Sequence, residues 1–520
     1  MANITGPTGP VHGAEVHHHP EDLHDKGLKH GAVNVFASVV LGVASVAPAY
    51  ALTATLGPTV SEVGLQMPAV FLAGFIPMLL VAYGYRELNK VLPDNGTSFT
   101  WTTKAFGPHI GWMCGWGLVI ATIIVLSNLA GVAVTFFYLL LGELFSSASI
   151  AALGGNLAVN ILTCLAFIVI ATLIAYRGIT TTKEIEYALV GVQMAVLALF
   201  VIMAFAKAIG GGSELAVGFE WSWLNPFSVG SFAAFTAGLS LSIFIYWGWD
   251  VCLTANEEST EAEKMPGRAA LLTVLTILST YLLVAISSQM FAGIGEQGTG
   301  LGNPDTADNV FAVLAEPVLG GLAILLFVAV LASSAASLQA TFIPATRTML
   351  AMGFYKAAPE RFAHVHQRFQ VPSYATLFSG AGTAIFYTVM MLVSENALID
   401  TIYSLGLMIC FYYGLTAFSC VWYFRRELFW SFKDFVFKAL LPGLGGIMLA
   451  LVFLKTAIDT WDPAYGAGGA IFGVGTVFFI GVGILLLGVV LMFVWQSLAP
   501  GFFRGETLRH DTPVLEIVED

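Results

Sequence analysis

Charge is what this sequence has least of. Its 21 Lys and Arg and 33 Asp and Glu make only 10% of 520 residues, against roughly 25% in a soluble domain. Hydrophobic residues make up 57% and the mean hydropathy is +0.82. Folded in water, such a chain would have too little polar surface to cover its exterior, which excludes a soluble enzyme and a disordered scaffold. The balance of −12 leaves no basic footprint for nucleic acid. Cysteine is scarce as well. Cys114, Cys164, Cys252, Cys410 and Cys420 all fall inside apolar runs, without zinc or redox spacing, and read as buried small hydrophobes rather than a disulfide framework. The apolar runs contain neither a metal constellation nor a Ser–His–Asp set, so neither a membrane enzyme nor a metal or cofactor is expected. A cleavable leader is not expected either. The first 31 residues are polar and rich in Gly, Pro and His, and the apolar run that starts near Val33 is too long for a leader's apolar core.

What the sequence does contain is a series of runs long enough to cross a bilayer, about 20 residues each. They fall near 33–57, 67–88, 110–141, 157–176, 185–206, 231–255, 269–292, 319–350, 374–394, 398–423, 437–455 and 469–495. This predicts an all-α integral membrane protein of twelve spans. With the amino terminus inside, 19 of the 21 basic residues fall in cytoplasmic segments, and only Lys207 and Lys455 fall outside. That asymmetry places both termini in the cytoplasm, with Arg425 and Arg426 at the inner membrane edge. The chain then divides into a His-rich tail (1–31), a core (32–423), two peripheral helices (424–496) and a second tail (497–520). The core has two halves, roughly 32–207 and 224–423. The first tail carries His12, His17, His18, His19, His24 and His30; a disordered tail and a metal- or pH-sensing segment are the two readings. The outer connection around Gly295–Pro317 reads either as a partial lid or as a solvated loop. Few charges and no large loops suit a bacterial cytoplasmic membrane.

Two spans are interrupted. The first, Val39–Tyr50, places Pro48 mid-span among the small residues Gly42, Ala44, Ser45, Ala47 and Ala49. Proline removes a donor and crowds the preceding turn, and backbone freed at this depth is tolerated only where it lines a cavity or meets a ligand. The sixth span, Ile243–Cys252, places Gly248 between Trp247 and Trp249, followed by Asp250. An ionisable residue inside a span is a functional candidate, although Asp250 could equally cap the half-helix that follows it. Breaks in spans one and six correspond if spans 1–5 and 6–10 are inverted repeats. Such repeats hold a substrate at the midplane between half-helices. The rings of Tyr246, Trp247 and Trp249 read as packing singly and as a pocket wall together.

Further pieces carry a resemblance. Tyr85-Arg86-Glu87-Leu88 is followed by Pro93-Asp94-Asn95-Gly96, Trp101 and Ala105-Phe106-Gly107-Pro108. Gly248-Trp249-Asp250 precedes Glu257-Glu258, Pro266 and Arg268. Arg347-Thr348-Met349-Leu350 precedes Pro359-Glu360-Arg361-Phe362 and Val371-Pro372. In this order, over roughly 33–455, the chain resembles the amino acid–polyamine–organocation (APC) superfamily. Its first span departs from the family's Gly-Ser/Ala-Gly-Ile core, having Ser45-Val46-Ala47-Pro48-Ala49.

The resemblance implies a LeuT-type fold of 5+5 inverted helices with two more at the carboxyl end. It also implies a secondary active permease that works by alternating access on a small substrate bearing an amine, most often an amino acid. On that reading, backbone near Ser45, Ala47 and Ala49 binds a substrate carboxylate, and carbonyls near Tyr246 and Trp247 bind its ammonium. Tyr50, Phe244, Tyr246 and Trp249 form the wall, while Asp250 neutralises a cation or takes part in gating. The lysine that some members carry midway along span five is replaced at or near Gln193. Ser333, Ser334 and Ser337, with freed carbonyls around Gly42–Ser45 including that of Ala44, suit a hard cation's preference for oxygen, although serine is also common as packing glue in membranes. Sodium and a proton are thus the candidate coupling ions, exchange against a gradient is the alternative, and Asp250 and Glu186 are proton-carrier candidates. A carrier for amines without a carboxylate is the alternative within transport, since Asp250 and aromatic rings suit a cation. A channel or a transporter-like sensor is a further class. The expected partners are a small-molecule substrate and the lipid bilayer, with no nucleic acid.

Overall fold

A computed structural model describes residues 26–393 and 397–513. His12, His17, His18, His19 and His24 lie outside the described residues. Long apolar runs become helices because only a helix satisfies every backbone N–H and C=O within its own segment when water is absent.

The helices that matter here are α1 (Val35–Val46), α2 (Pro48–Val63), α3 (Met67–Val91), α4 (Ser98–Phe106) and α5 (Pro108–Leu144). They are followed by α6 (Leu157–Ala175), α7 (Ile179–Ile209), α8 (Phe232–Ile245), α9 (Val251–Thr254) and α10 (Met265–Ala292). Then come α11 (Val310–Leu319), α12 (Ala323–Phe354), α13 (Ser373–Val393) and α14 (Ala397–Tyr423). Helices α15 (Phe432–Asp459) and α16 (Thr476–Leu498), and a short α17 (Pro500–Phe503), end the series. Side-chain caps set several starts. Asn34 accepts from the Ala37 N–H at 2.9 Å and Ser231 from the Ala234 N–H at 3.0 Å, each satisfying a first-turn donor.

Among the described residues, ten helical stretches are long and apolar enough to cross a membrane. One of them, Val35–Val91, is a single stretch of 57 residues that contains α1, α2 and α3. The sixth predicted span appears only as the shorter α8, because its second half is broken. The chain is thus a mostly helical, multi-pass membrane protein. Its layering follows burial. Helix α5 is buried along most of its length and packs along α12. Helices α6, α13 and α15 turn Leu162, Leu173, Ile385 and Leu451 outward, each more than half exposed, as lipid-facing surfaces do.

Two departures from the sequence reading bear on the fold. The last span starts at Thr476 rather than 469. Residues Ala470–Ile471 (β1) and Val474–Gly475 (β2) form an antiparallel hairpin ahead of it, since the glycines around 466–475 favour a turn over a helix. The Gly295–Pro317 connection ends in α11, which buries Phe311, Leu314, Ala315 and Val318 against α12, α2 and α7. It is tied down on α2, where the Phe311 N–H donates to Thr53 Oγ1 at 3.1 Å. The α11 part therefore packs on the bundle, while Gly295–Gly298, Pro304 and Asp305 stay exposed.

Candidate functional site

The first helix breaks at one residue. Ala47 separates α1 from α2 in the left-handed conformation (φ 53°, ψ 65°). An L-residue other than Gly, Asn or Asp rarely holds that conformation unless its surroundings enforce it. Pro48 opens α2, where its missing N–H costs nothing, but it leaves the Ala44 carbonyl, four residues earlier, without a helical donor. The break is not at Gly42, which lies inside α1. A Cβ there would meet Thr273 Oγ1 at 2.5 Å and Cys252 Sγ at 2.9 Å, so glycine serves close packing at that position.

Helix α12 supplies the groups that α1 and α2 lack. Ser337 Oγ donates to the Ser45 carbonyl at 2.8 Å, and Ser333 Oγ accepts from the Tyr50 N–H at 3.2 Å. Thr341 Oγ1 lies 3.2 Å from Ser337 Oγ and 3.4 Å from Ser45 Oγ. Ser334 Oγ, also buried, has no partner among the described residues. The structure therefore brings Ser45, Ser333 and Ser337 together with Ala44 beside them, an all-oxygen group at the break. Ala47 donates its own N–H to the Val43 carbonyl at 3.1 Å. Ala49 follows Pro48 in the first turn of α2, where an N–H has no helical acceptor.

The second break spans Tyr246–Asp250, between α8 and α9. Gly248 has φ 108°, a conformation open to glycine. A Cβ there would stand 2.8 Å from Ser45 Oγ and 3.0 Å from the Ser45 carbonyl carbon, so the two breaks touch. Tyr281 OH caps the freed Ile245 carbonyl at 2.6 Å, and Trp247 Nε1 donates to Tyr412 OH. Tyr50 OH donates to Asn128 Oδ1 at 2.6 Å, and the Tyr50 ring stands edge-on to Phe244 at 6.4 Å.

Asp250 is fully buried. It precedes α9, yet its side chain makes no capping hydrogen bond, so the capping reading does not hold. Its carboxylate lies beside the hydroxyls of Tyr413 and Tyr412, without a well-formed hydrogen bond to either carboxylate oxygen. Trp249 packs against Tyr413 at 5.1 Å and Tyr85 at 5.0 Å. Tyr246 OH, Trp249 Nε1 and Tyr413 OH are also buried without a partner among the described residues. Buried polar atoms are normally satisfied, so these groups are the candidates here for contact with a polar ligand or water. Tyr50, Phe244, Tyr246, Trp247, Trp249 and Asp250 are each at most 4% exposed, so these side chains are shielded from solvent.

Several contributors were not legible beforehand. Tyr412 and Tyr413 sit in an apolar run where only their hydroxyls hint at a role. Asn128, a lone amide midway along the third span, was a usable signal. Thr341 stands one turn beyond Ser337. Glu186 and Gln193 are buried in α7, and no hydrogen bond links either to the breaks among the described residues.

Ten helical stretches among the described residues that are long and apolar enough to span a bilayer, with two helix breaks in contact, make this a multi-pass membrane protein. The sequence model described as amino acid permease matches residues 32–497, and the chain belongs to that family. It is similar to the methylthioribose transporter of Bacillus subtilis, 25% identical over 65% of this chain and 70% of the relative. The branched-chain amino acid permease BcaP of the same organism is 22% identical over 69% and 75%. The low-affinity putrescine importer PlaP of Escherichia coli is 23% identical over 80% and 86%.

Proposed function

We propose that the chain is a secondary active transporter of twelve spans, with both termini cytoplasmic, in a bacterial cell membrane. It moves an amino acid by alternating access between two inverted five-helix repeats. The observation that carries this reading is the contact of the two helix breaks at Ser45 and Gly248, beside unsatisfied groups on Tyr246, Trp249, Asp250 and Tyr413. The Ala49 N–H in the first turn of α2 suits a substrate carboxylate. Freed carbonyls of the second break suit its ammonium, and the aromatic rings enclose the remainder. The oxygen cluster of Ser45, Ser333 and Ser337 with Ala44 suits sodium as the coupled ion.

One observation favours a second reading. Asp250 is buried without a cationic partner among the described residues and stands among aromatic rings, a setting that attracts an organic cation. A carrier for amines that lack a carboxylate would use it directly. The relatives named for a branched-chain amino acid and for putrescine span both readings.

Thermal stabilisation of the purified protein separates them, because a ligand that binds the native state raises its stability as concentration exceeds Kd. The panel is the standard amino acids and their decarboxylated amines, with and without sodium. A shift with an amino acid but not its amine supports the first reading. A shift with the amine alone supports the second, and no shift across the panel counts against both. Dependence of the shift on sodium tests the ion site.

A further inference from the structure

Beyond the central site, the carboxyl-terminal segment after α16 is folded back onto the bundle. Phe502 and Leu508 are fully buried and Phe503 nearly so. The Phe502 ring stacks on Phe99 of α4 at 5.7 Å. Lys104 Nζ, at the end of α4, donates to the Thr512 carbonyl at 2.5 Å, and Thr507 Oγ1 donates to the Tyr355 carbonyl at 2.5 Å. The segment thereby bridges α4 and the end of α12. Burial pushes the Lys104 amine down, against the opposing pull of Asp94 and Asp511, so the contact confines a cation that would otherwise sit in water.

Tyr355 connects this segment to the other terminus. Its hydroxyl donates to Asp94 Oδ2 at 2.8 Å, and Asp94 pairs with the buried Lys26 at 2.8 Å. Lys26 also pairs with Glu257 at 2.7 Å and lies 5.7 Å from the Tyr355 ring centre. A few residues on, the Val33 N–H donates to the Glu258 carbonyl at 3.0 Å and the Thr260 N–H to the Val33 carbonyl at 2.9 Å. Arg347 of α12 grips Glu258 at 2.8 Å. The lead-in to α1, the chain after the second break and the end of α12 are thus joined at one end of the bundle. One residue, Tyr355, bonds to that junction through its hydroxyl and to the tail through its carbonyl.

We propose that the carboxyl-terminal segment 500–512 is a strap that holds this end of the transporter closed, acting through Tyr355 on the Lys26–Asp94–Glu257 junction. The proposal rests on the transporter reading, because only a protein that opens at this end has a closure to regulate. Opening requires the lead-in to α1 to leave α12 and the 256–260 segment. A tail bonded to the Tyr355 carbonyl and to Lys104 of α4 holds Tyr355 where its hydroxyl meets Asp94, and a group that binds one of two states shifts the population towards it. A tail that is altered or captured by another molecule would release the closure without touching the substrate site.

Hydrogen exchange on the full-length protein in detergent or nanodiscs tests this without knowledge of the substrate. Two variants are compared with the parent: Leu508→Asp, which expels the tail from its apolar seat, and Thr507→Val, which removes only the hydroxyl bonded to Tyr355. The strap predicts faster exchange in peptides covering 26–34 and 256–262 in both variants, with the peptide over 310–319, at the opposite end of the central site, unchanged. Faster exchange confined to 500–512 in both variants would overturn the proposal and leave the tail a passive attachment. If Leu508→Asp does not fold, Thr507→Val decides alone, since its change is one hydroxyl. The transporter reading itself stands or falls on ligand stabilisation, which this measurement does not use.

Discussion

Gly248 stands so close to Ser45 that a single added methyl group would lie 2.8 Å from Ser45 Oγ. Gly248 also holds φ 108°, which an L-residue adopts only at a cost of about 1–3 kcal/mol. Gly248→Ala therefore strains the second break and pushes it off the first. The expected outcome is loss of ligand-induced stabilisation and of uptake, with the protein still inserted and helical by circular dichroism. Unchanged ligand binding in this variant would show that the contact of the two breaks is not part of the site.

Asp250, at the second break, and Glu87, near the end of α3, are both buried carboxylates, but they are held differently. Glu87 pairs with Arg86 at 2.8 Å and Lys90 at 2.6 Å, whereas Asp250 has neither an ion pair nor a well-formed side-chain hydrogen bond among the described residues. Asp250→Asn is expected to lower substrate affinity by at least roughly ten-fold, about 1.4 kcal/mol, or to change the pH dependence of uptake. Glu87→Gln is expected to affect mainly expression and thermal stability. Equal effects of the two variants on binding, measured by titration calorimetry, would make Asp250 a structural residue.

The fold was legible to the extent that hydropathy and charge record it. The runs and the two breaks follow from proline and glycine in apolar context, whereas the pairing of the first span with Ser333 and Ser337 rests on the family resemblance. The dihedral change itself was less legible. It falls on Ala47, a residue with no intrinsic preference for the left-handed region, because Pro48 after it and α12 beside it set the geometry. The ring partners Tyr85, Tyr412 and Tyr413 come from α3 and α14, far apart in sequence, and no local pattern specifies which rings meet. The ordered ends were hidden for the same reason. Lys26 lies in a polar segment that reads as loose tail, yet it is buried by carboxylates 68 and 231 residues away.

Ser337 satisfies the Ser45 carbonyl, which the break leaves short of a donor. Ser337→Ala leaves that oxygen unpaired at a cost of about 1–3 kcal/mol unless an ion takes the place of the hydroxyl. If sodium binds here, the variant loses affinity for it, and the sodium dependence of ligand stabilisation moves to higher concentration. Ser334→Ala removes a hydroxyl with no partner among the described residues and serves as the comparison. Sodium dependence that is identical in the parent and Ser337→Ala would remove this group from the ion path.

Lys26 offers a test of stability and of its pH dependence together. Burial pushes its amine down, but the Asp94 and Glu257 carboxylates outweigh burial and hold it above the usual lysine range. Burial pushes the Asp94 carboxyl up, but the charge of Lys26 and hydrogen bonds from Lys26, Thr100 and Tyr355 hold it below its usual range. A raised lysine contributes stability that is complete below its unfolded pKa and is lost as pH rises through its folded one. A depressed aspartate contributes stability that is present above its unfolded pKa and is lost as pH falls through its folded one. Glu257, which burial raises despite Lys26, opposes the aspartate in the acid range. The lysine contribution should therefore be lost in strong alkali, while in acid the aspartate and the glutamate act in opposite directions. Lys26→Met strands two buried carboxylates and is expected to cost about 3–5 kcal/mol at neutral pH, read as a lower unfolding temperature. The gap between parent and variant should narrow as Asp94 protonates, because the variant no longer forces a charge to remain there. A gap that is constant from acid to alkali would mean that Lys26 contributes packing rather than charge.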